Sequence, residues 1–241
     1  MTIRSKKANH SALHRQLFRS VIFLLTLACA GLASRDIAAE IQSARAERRV
    51  TWRTIENFTL ITQNGAPYSI NNLAGKVMVV AFAYTTCVDV CPLITAALRQ
   101  IQIALTPEER TEVQLLTITT DPEIDSPKVL RAYAKRYGAE FENWAFLTGD
   151  PAVLAQVWKN FGVGVKRRAQ GLIDHTPLTA IVDQSKAMRF AYIGPSPDQH
   201  AVLGDVRSLL KGIRVLIGLV MQQVVLRTAV AEHSRLDKSL C

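Results

Sequence analysis

Lys76-Val77-Met78-Val79-Val80-Ala81-Phe82-Ala83 runs straight into Tyr84-Thr85-Thr86-Cys87-Val88-Asp89-Val90-Cys91-Pro92. Val77 to Ala83 is apolar without a break, the pattern of a strand buried on both faces rather than one alternating between core and solvent. From Pro92 to Leu105 the apolar residues Leu93, Ala97, Leu98, Ile101 and Leu105 recur with helical spacing. A buried strand therefore feeds a helix, and two cysteines sit at the junction.

The rest of the chain extends this pattern in both directions. Upstream, Phe58–Thr62 and Tyr68–Ile70 flank Asn64-Gly65, a strong hairpin signal. Downstream, Val113–Thr119 reads as a second central strand. Ser126-Pro127 starts a helix running to Gly138, with a capping residue followed by proline at the first helical position. Trp144–Leu147 reads as a short strand, and Asp150-Pro151 opens another helix ending near Gly162. Leu178–Val182 and Met188–Ile193 form a hairpin around Asp183-Gln184-Ser185-Lys186, and a last helix starts near Pro197-Asp198. Strand, helix, strand, helix, hairpin and final helix define an α/β chain. The order matches a thioredoxin-like central sheet flanked by helices, with an N-terminal hairpin and an extra C-terminal helical tail.

The 241 residues carry a net charge of +9, which at first suggests a nucleic-acid or anionic-membrane binder. Arg4, Lys6, Lys7, Arg15 and Arg19 stand in the first 20 residues without an acid and precede an apolar run from Val21 to Ala33. That arrangement reads as an export signal, either cut after Ala33 or kept as a short signal anchor. Without residues 1–33 the charge falls to +4, and no nucleic-acid partner is expected. The expected divisions are a leader over 1–33, a linker or short helix over 34–50, a thioredoxin-like domain over 51–211 and an extension over 212–241. In the extension, Ile213 to Leu226 reads either as a tail packed on the body or as a segment docking on a membrane or partner; Gly212 and Gly218 could interrupt it.

Four cysteines in 241 residues exclude a disulfide-dense scaffold. Cys29 falls in the leader and Cys241 is the last residue, which leaves Cys87 and Cys91 as the functional pair. Thiolates at a helix N-terminus are stabilised by unpaired amides and the helix dipole. At i, i+4 spacing both sulfurs can face one point, where they suit a soft ion such as Cu(I). They could equally form a Cys87–Cys91 disulfide if the turn allows the geometry. Three intervening residues separate this motif from the C-x-x-C of redox proteins of the thioredoxin type. Of five histidines, only His175, in Asp174-His175-Thr176-Pro177, lies inside the domain core, just before a strand. In a thioredoxin-like topology that strand start lies beside the cysteine helix. A third ligand there gives a Cys₂His site suited to Cu(I) or Cu(II), with zinc as an alternative.

Three segments together resemble the Sco family, also called SenC or PrrC, the copper-binding assembly factors of cytochrome oxidase. They are Thr86-Cys87-Val88-Asp89-Val90-Cys91-Pro92, Thr119-Thr120-Asp121-Pro122-Glu123-Ile124-Asp125-Ser126-Pro127 and Asp174-His175-Thr176, and the fit covers roughly residues 51–211. The resemblance implies Cys87, Cys91 and His175 as copper ligands, with one copper, Cu(I) or Cu(II), per chain. It also implies an exported metallochaperone at the periplasmic face of a bacterial inner membrane. Its partners would be the copper-centre subunit of cytochrome c oxidase and another copper chaperone. The alternative is a thiol–disulfide oxidoreductase that keeps that centre's cysteines reduced. A peroxidase or sensor on the same fold ranks third, because no arginine placed to polarise peroxide is evident. Val88 departs from the proline usual in the family, and Thr176-Pro177 resembles the element that faces the cysteines in thioredoxin-like reductases.

Asp121 and Glu123 follow a strand end, where α/β folds place functional loops, and are read as partner contacts or helix caps. Asp125 and Ser126 are read as caps, and Asp89 as a group that polarises the thiols or meets a partner. Arg167 and Arg168 are read as a solvated loop pair, with docking of an acidic partner as the alternative.

Overall fold

The computed structural model describes residues 46–212, apart from 74, 169 and 170. The leader, the first part of the linker and the extension beyond 212 lie outside the described residues, as do Cys29 and Cys241.

The two apolar runs that dominate the sequence form the centre of the sheet. Val77–Ala83 and Val113–Thr119 are strands with every residue buried, and they pair in parallel from Val77↔Val113 to Ala83↔Thr119. In chain order the strands are β1 (Glu47–Thr54), β2 (Thr59–Thr62), β3 (Pro67–Ser69), β4 (Val77–Ala83), β5 (Val113–Thr119), β6 (Trp144–Thr148), β7 (Val165–Arg167), β8 (Ile173–His175), β9 (Leu178–Val182) and β10 (Ala187–Ile193). Eight of them form one sheet in the order β1-β10-β9-β4-β5-β6-β2-β3, and β7 and β8 pair separately. The helices are α1 (Val90–Ala104), α2 (Pro107–Glu112), α3 (Pro127–Arg136), α4 (Pro151–Phe161) and α5, described over 199–212.

Period-two alternation splits each central strand between two cores. Met78, Val80 and Phe82 face α4, meeting Leu154, Val157 and Phe161; Val77, Val79 and Ala81 face the other way, toward Ile94 and Leu98 of α1, Leu130 of α3 and Val202 of α5. The helix starts follow their sequence signals. Ser126 accepts from the Val129 amide and Asp150 from the Ala152 and Val153 amides, each before a proline. At the end of α4, Gly162 takes a left-handed φ of 76°, a conformation glycine adopts without the Cβ penalty.

Three features differ from the sequence reading. The sheet begins at Glu47, inside the segment expected to be linker, because β1 pairs with β10 from Glu47↔Ile193 onward. Its sequence, Glu-Arg-Arg-Val-Thr-Trp-Arg-Thr, is solvent-facing along nearly its whole length, so it carries none of the alternation that marks a half-buried strand. The short helix α2 begins at a capping box: Thr106 Oγ1 accepts from the Glu109 amide while Glu109 Oε2 accepts from the Thr106 amide. The β7–β8 hairpin, read as loop, supplies His175.

Candidate functional site

The chain leaves β4 at Ala83, and the next eight residues build one half of the site. Asp89 stands at the N-cap of α1, yet its carboxylate makes no capping hydrogen bond. The Cys87 sulfur occupies that role, accepting from the Cys91 amide at 3.4 Å. Its thiol pKa falls to about 5, first because Cys91 hydrogen-bonds to it, then through the backbone amides of Cys91, Asp89 and Val90. Cys91 is fully buried, and its pKa moves upward because its S–H donates a hydrogen bond to Cys87 and it lies in apolar surroundings. Both cysteines are free thiols here, one half-buried and one buried.

The other half comes from β8. His175 Nε2 lies 3.5 Å from Cys91 Sγ, and Nδ1 lies 3.1 Å from the Thr176 carbonyl. A carbonyl can only accept, so Nδ1 carries the proton and Nε2 turns its lone pair toward the thiol. Burial lowers the His175 pKa and favours the neutral ring, and Tyr84 packs edge-on against it with centroids 5.9 Å apart. A ring nitrogen held by a backbone carbonyl with its partner nitrogen free is how proteins present histidine to a metal. Cys91 thus has one proton and two acceptors, Cys87 Sγ and His175 Nε2. Among the described residues no three metal-binding side chains already close on one point.

A cleft of about 320 Å³ opens beside the thiols, lined by Tyr84, Cys87, Val88, Leu172, His175 and Pro177 among others. Val88 is 93% exposed at its rim, and Leu172 is also exposed. Thr176 turns its hydroxyl away to accept from the Gly164 amide at 3.1 Å, so this element braces the hairpin.

The acidic segment after β5 is assigned differently by the structure. Asp125, expected to cap α3, is buried. Its carboxylate accepts from the Thr85 amide at 3.2 Å and from the Thr119 hydroxyl at 2.5 Å, and the Thr85 hydroxyl bonds to it as well. Only Ser126 caps the helix. Asp121 is buried and pairs with Arg167, which Glu123 also approaches at 3.2 Å. Arg167 is therefore an exposed strand residue tied to a buried carboxylate, whereas Arg168 pairs with Asp174 in the open. Asp89 remains exposed at the rim. The role of Asp125 had no local signal, because its partners lie 40 and 6 residues away.

A central sheet with parallel β4, β5 and β6, antiparallel β9 and β10, and a thiol pair at the strand-to-helix junction defines a thioredoxin-like protein with a dithiol–imidazole site. Comparison narrows the class. The SCO1/SenC family pattern matches residues 46–211, and the chain belongs to that family. It is 33% identical over 133 residues to a SCO1 protein homolog of Bacillus subtilis, covering 55% of this chain and 62% of that protein. It is 32% identical over 194 residues to a protein of Stutzerimonas stutzeri named for copper binding, covering 80% and 89%. Bradyrhizobium japonicum ScoI, solved with copper bound, superposes with a TM-score of 0.56 at 26% identity, covering 65% of this chain and 99% of its own. BsSco, described as a Sco-family cytochrome c oxidase assembly protein with a disulfide switch, gives 0.59 at 28% identity, covering 67% and 95%.

Proposed function

We propose that this chain carries one copper ion on Cys87, Cys91 and His175 and passes it to the copper-centre subunit of cytochrome c oxidase. Copper is the cargo. The observation that carries the reading is the aim of His175 Nε2 at Cys91 Sγ, with Nδ1 tied to the Thr176 carbonyl. Two soft thiolates and an imidazole suit copper in either oxidation state, and relatives solved with copper bound support the choice. Holding one ion requires Cys87 and His175 to draw together around Cys91, and both thiols must be free of protons. The basic leader followed by an apolar run supports export to the periplasmic face of a bacterial inner membrane, where another copper chaperone would load the site.

The dithiol supports a second reading as a reductase for the partner's cysteines. Cys87 is a reachable thiolate and Cys91 a buried thiol behind it. Cys87 would attack a partner disulfide, releasing one partner thiol. Cys91 would then attack the mixed disulfide, leaving Cys87–Cys91 oxidised and the partner fully reduced.

Anaerobic titration of the reduced protein tests the first reading. One copper bound per chain, displacing zinc, supports it; no binding, or binding no tighter than zinc, contradicts it. Trapping a partner on Cys91→Ser supports the second reading, and failure to reduce any disulfide of the copper-centre subunit contradicts it.

A further inference from the structure

Two pieces of chain far apart in sequence make the site, and a continuous polar path joins them beneath it. On the cysteine side, Thr85 stands two residues before Cys87, and its amide is held by the buried Asp125 carboxylate. Asp125 also accepts from the Thr119 hydroxyl, and Thr119 Oγ1 in turn accepts from the Asp121 amide at 2.9 Å. The Asp121 carbonyl closes the loop by accepting from the Asp125 amide at 2.9 Å. Asp121 Oδ1 then pairs with Arg167 Nη2, and Glu123 reaches the same nitrogen from the outside.

Arg167 lies in β7, directly across from Ile173 in β8, and His175 follows two residues later on the same strand. The β7–β8 hairpin forms its own two-stranded sheet, so no ladder ties it to the main one. Its apolar footing rests on two side chains: Ile173 and Val165 pack on Ala83, Tyr84 and Cys91, and Val165 also meets the core on the α4 side of the sheet. A buried carboxylate holding a guanidinium is a directional tie that such a small apolar contact cannot supply. Asp121 is 1% exposed, and its Oδ2 has no hydrogen-bond partner, so one cation compensates this carboxylate on one side only.

We infer that the Asp121–Arg167 pair is a clamp that sets the position of His175 against the two cysteines, making both positioning residues for the site. The inference rests on the copper-carrying reading for its effect on affinity, while the clamp itself is a property of the metal-free protein. Glu123 is the outer, exposed arm of the pair and contributes less.

The test uses the full chain with Arg167→Gln, Asp121→Asn, Arg167→Lys, His175→Ala and the Arg167→Gln/His175→Ala double variant. In the metal-free protein, hydrogen exchange is read at the Arg168 and Thr176 amides, which bond to Leu172 O and Gly164 O. Arg167→Gln and Asp121→Asn should each speed exchange there while leaving the β4 and β5 amides protected, and Arg167→Lys should restore part of the protection. Unchanged exchange in both variants overturns the clamp, whatever copper does. Anaerobic Cu(I) competition titration then reads the site. Arg167→Gln and Asp121→Asn should each lose about 10- to 100-fold in affinity, the scale of outer-shell changes. In the His175→Ala background, Arg167→Gln should cost nothing more, because its action runs through the missing imidazole. A further full loss in that background overturns the positioning role. Absence of copper binding by the unmodified chain would instead overturn the copper reading, with the exchange result still deciding the clamp.

Discussion

The acidity of Cys87 can be tested by one substitution and one titration. An ordinary thiol with a pKa near ~8.5 is only about 3% thiolate at pH 7. With its pKa at about 5, Cys87 is almost wholly thiolate there. Alkylation of the reduced protein by iodoacetamide, followed by peptide mass spectrometry, should give a Cys87 rate that titrates with a midpoint near 5, while Cys91 stays unreactive to high pH. Cys91→Ala removes the first-ranked cause, the Cys91 hydrogen bond, but keeps the backbone amides of residues 89–91. Its midpoint should rise yet remain below that of an ordinary thiol. His175→Ala should leave the Cys87 midpoint low, since the Cys91 proton then has Cys87 as its one remaining acceptor. The linkage has a definite sign. Between about 5 and about 8.5 the unfolded chain holds a proton on Cys87 that the folded chain has released, so this group adds stability as pH rises and loses it as pH falls toward 5. A Cys87 midpoint at or above about 8 in the unmodified protein would refute the reasoning.

Three stability predictions follow from the packing and polar contacts. Asp125→Ala strands the Thr85 amide and two hydroxyl donors in a buried pocket, and urea unfolding should show a loss of about 2–4 kcal/mol. Phe161→Ala removes a fully buried ring that meets Phe82 and Phe58 edge-on at 5.3 and 6.3 Å; a loss of about 3–5 kcal/mol is expected by the same assay. Thr106→Ala opens the capping box of α2 and should lower stability by about 1 kcal/mol, read as a shift of the denaturation midpoint without a change in slope.

The sheet centre was legible because burial on both faces leaves a plain mark in sequence. Val113–Thr119 and Leu178–Val182 have the bounds their sequence patterns suggested. Edge strand β1 left no such mark: Trp52 packs under the Arg189 guanidinium at 3.8 Å rather than in a core, and Glu47, Arg48, Arg49 and Arg53 take half of the strand. Strands β7 and β8, three residues each, are too short for periodicity to register. At the site, the cysteines declared themselves through their place at a helix start and His175 through its place before β9. The Asp125 and Asp121 contacts did not, because they join residues up to 46 positions apart and depend on which loops the fold brings together. The capping box was written locally as Thr106-Pro107-Glu108-Glu109 and could have been read.

Whether the imidazole and the thiols act as one copper site is best tested by the anaerobic Cu(I) affinity of the reduced protein, measured by chelator competition with and without His175→Ala. A three-ligand site predicts one copper per chain and a fall of more than about 100-fold in the variant, beyond the scale of outer-shell changes. Equal affinity in both would contradict it and leave the two cysteines as a redox pair alone.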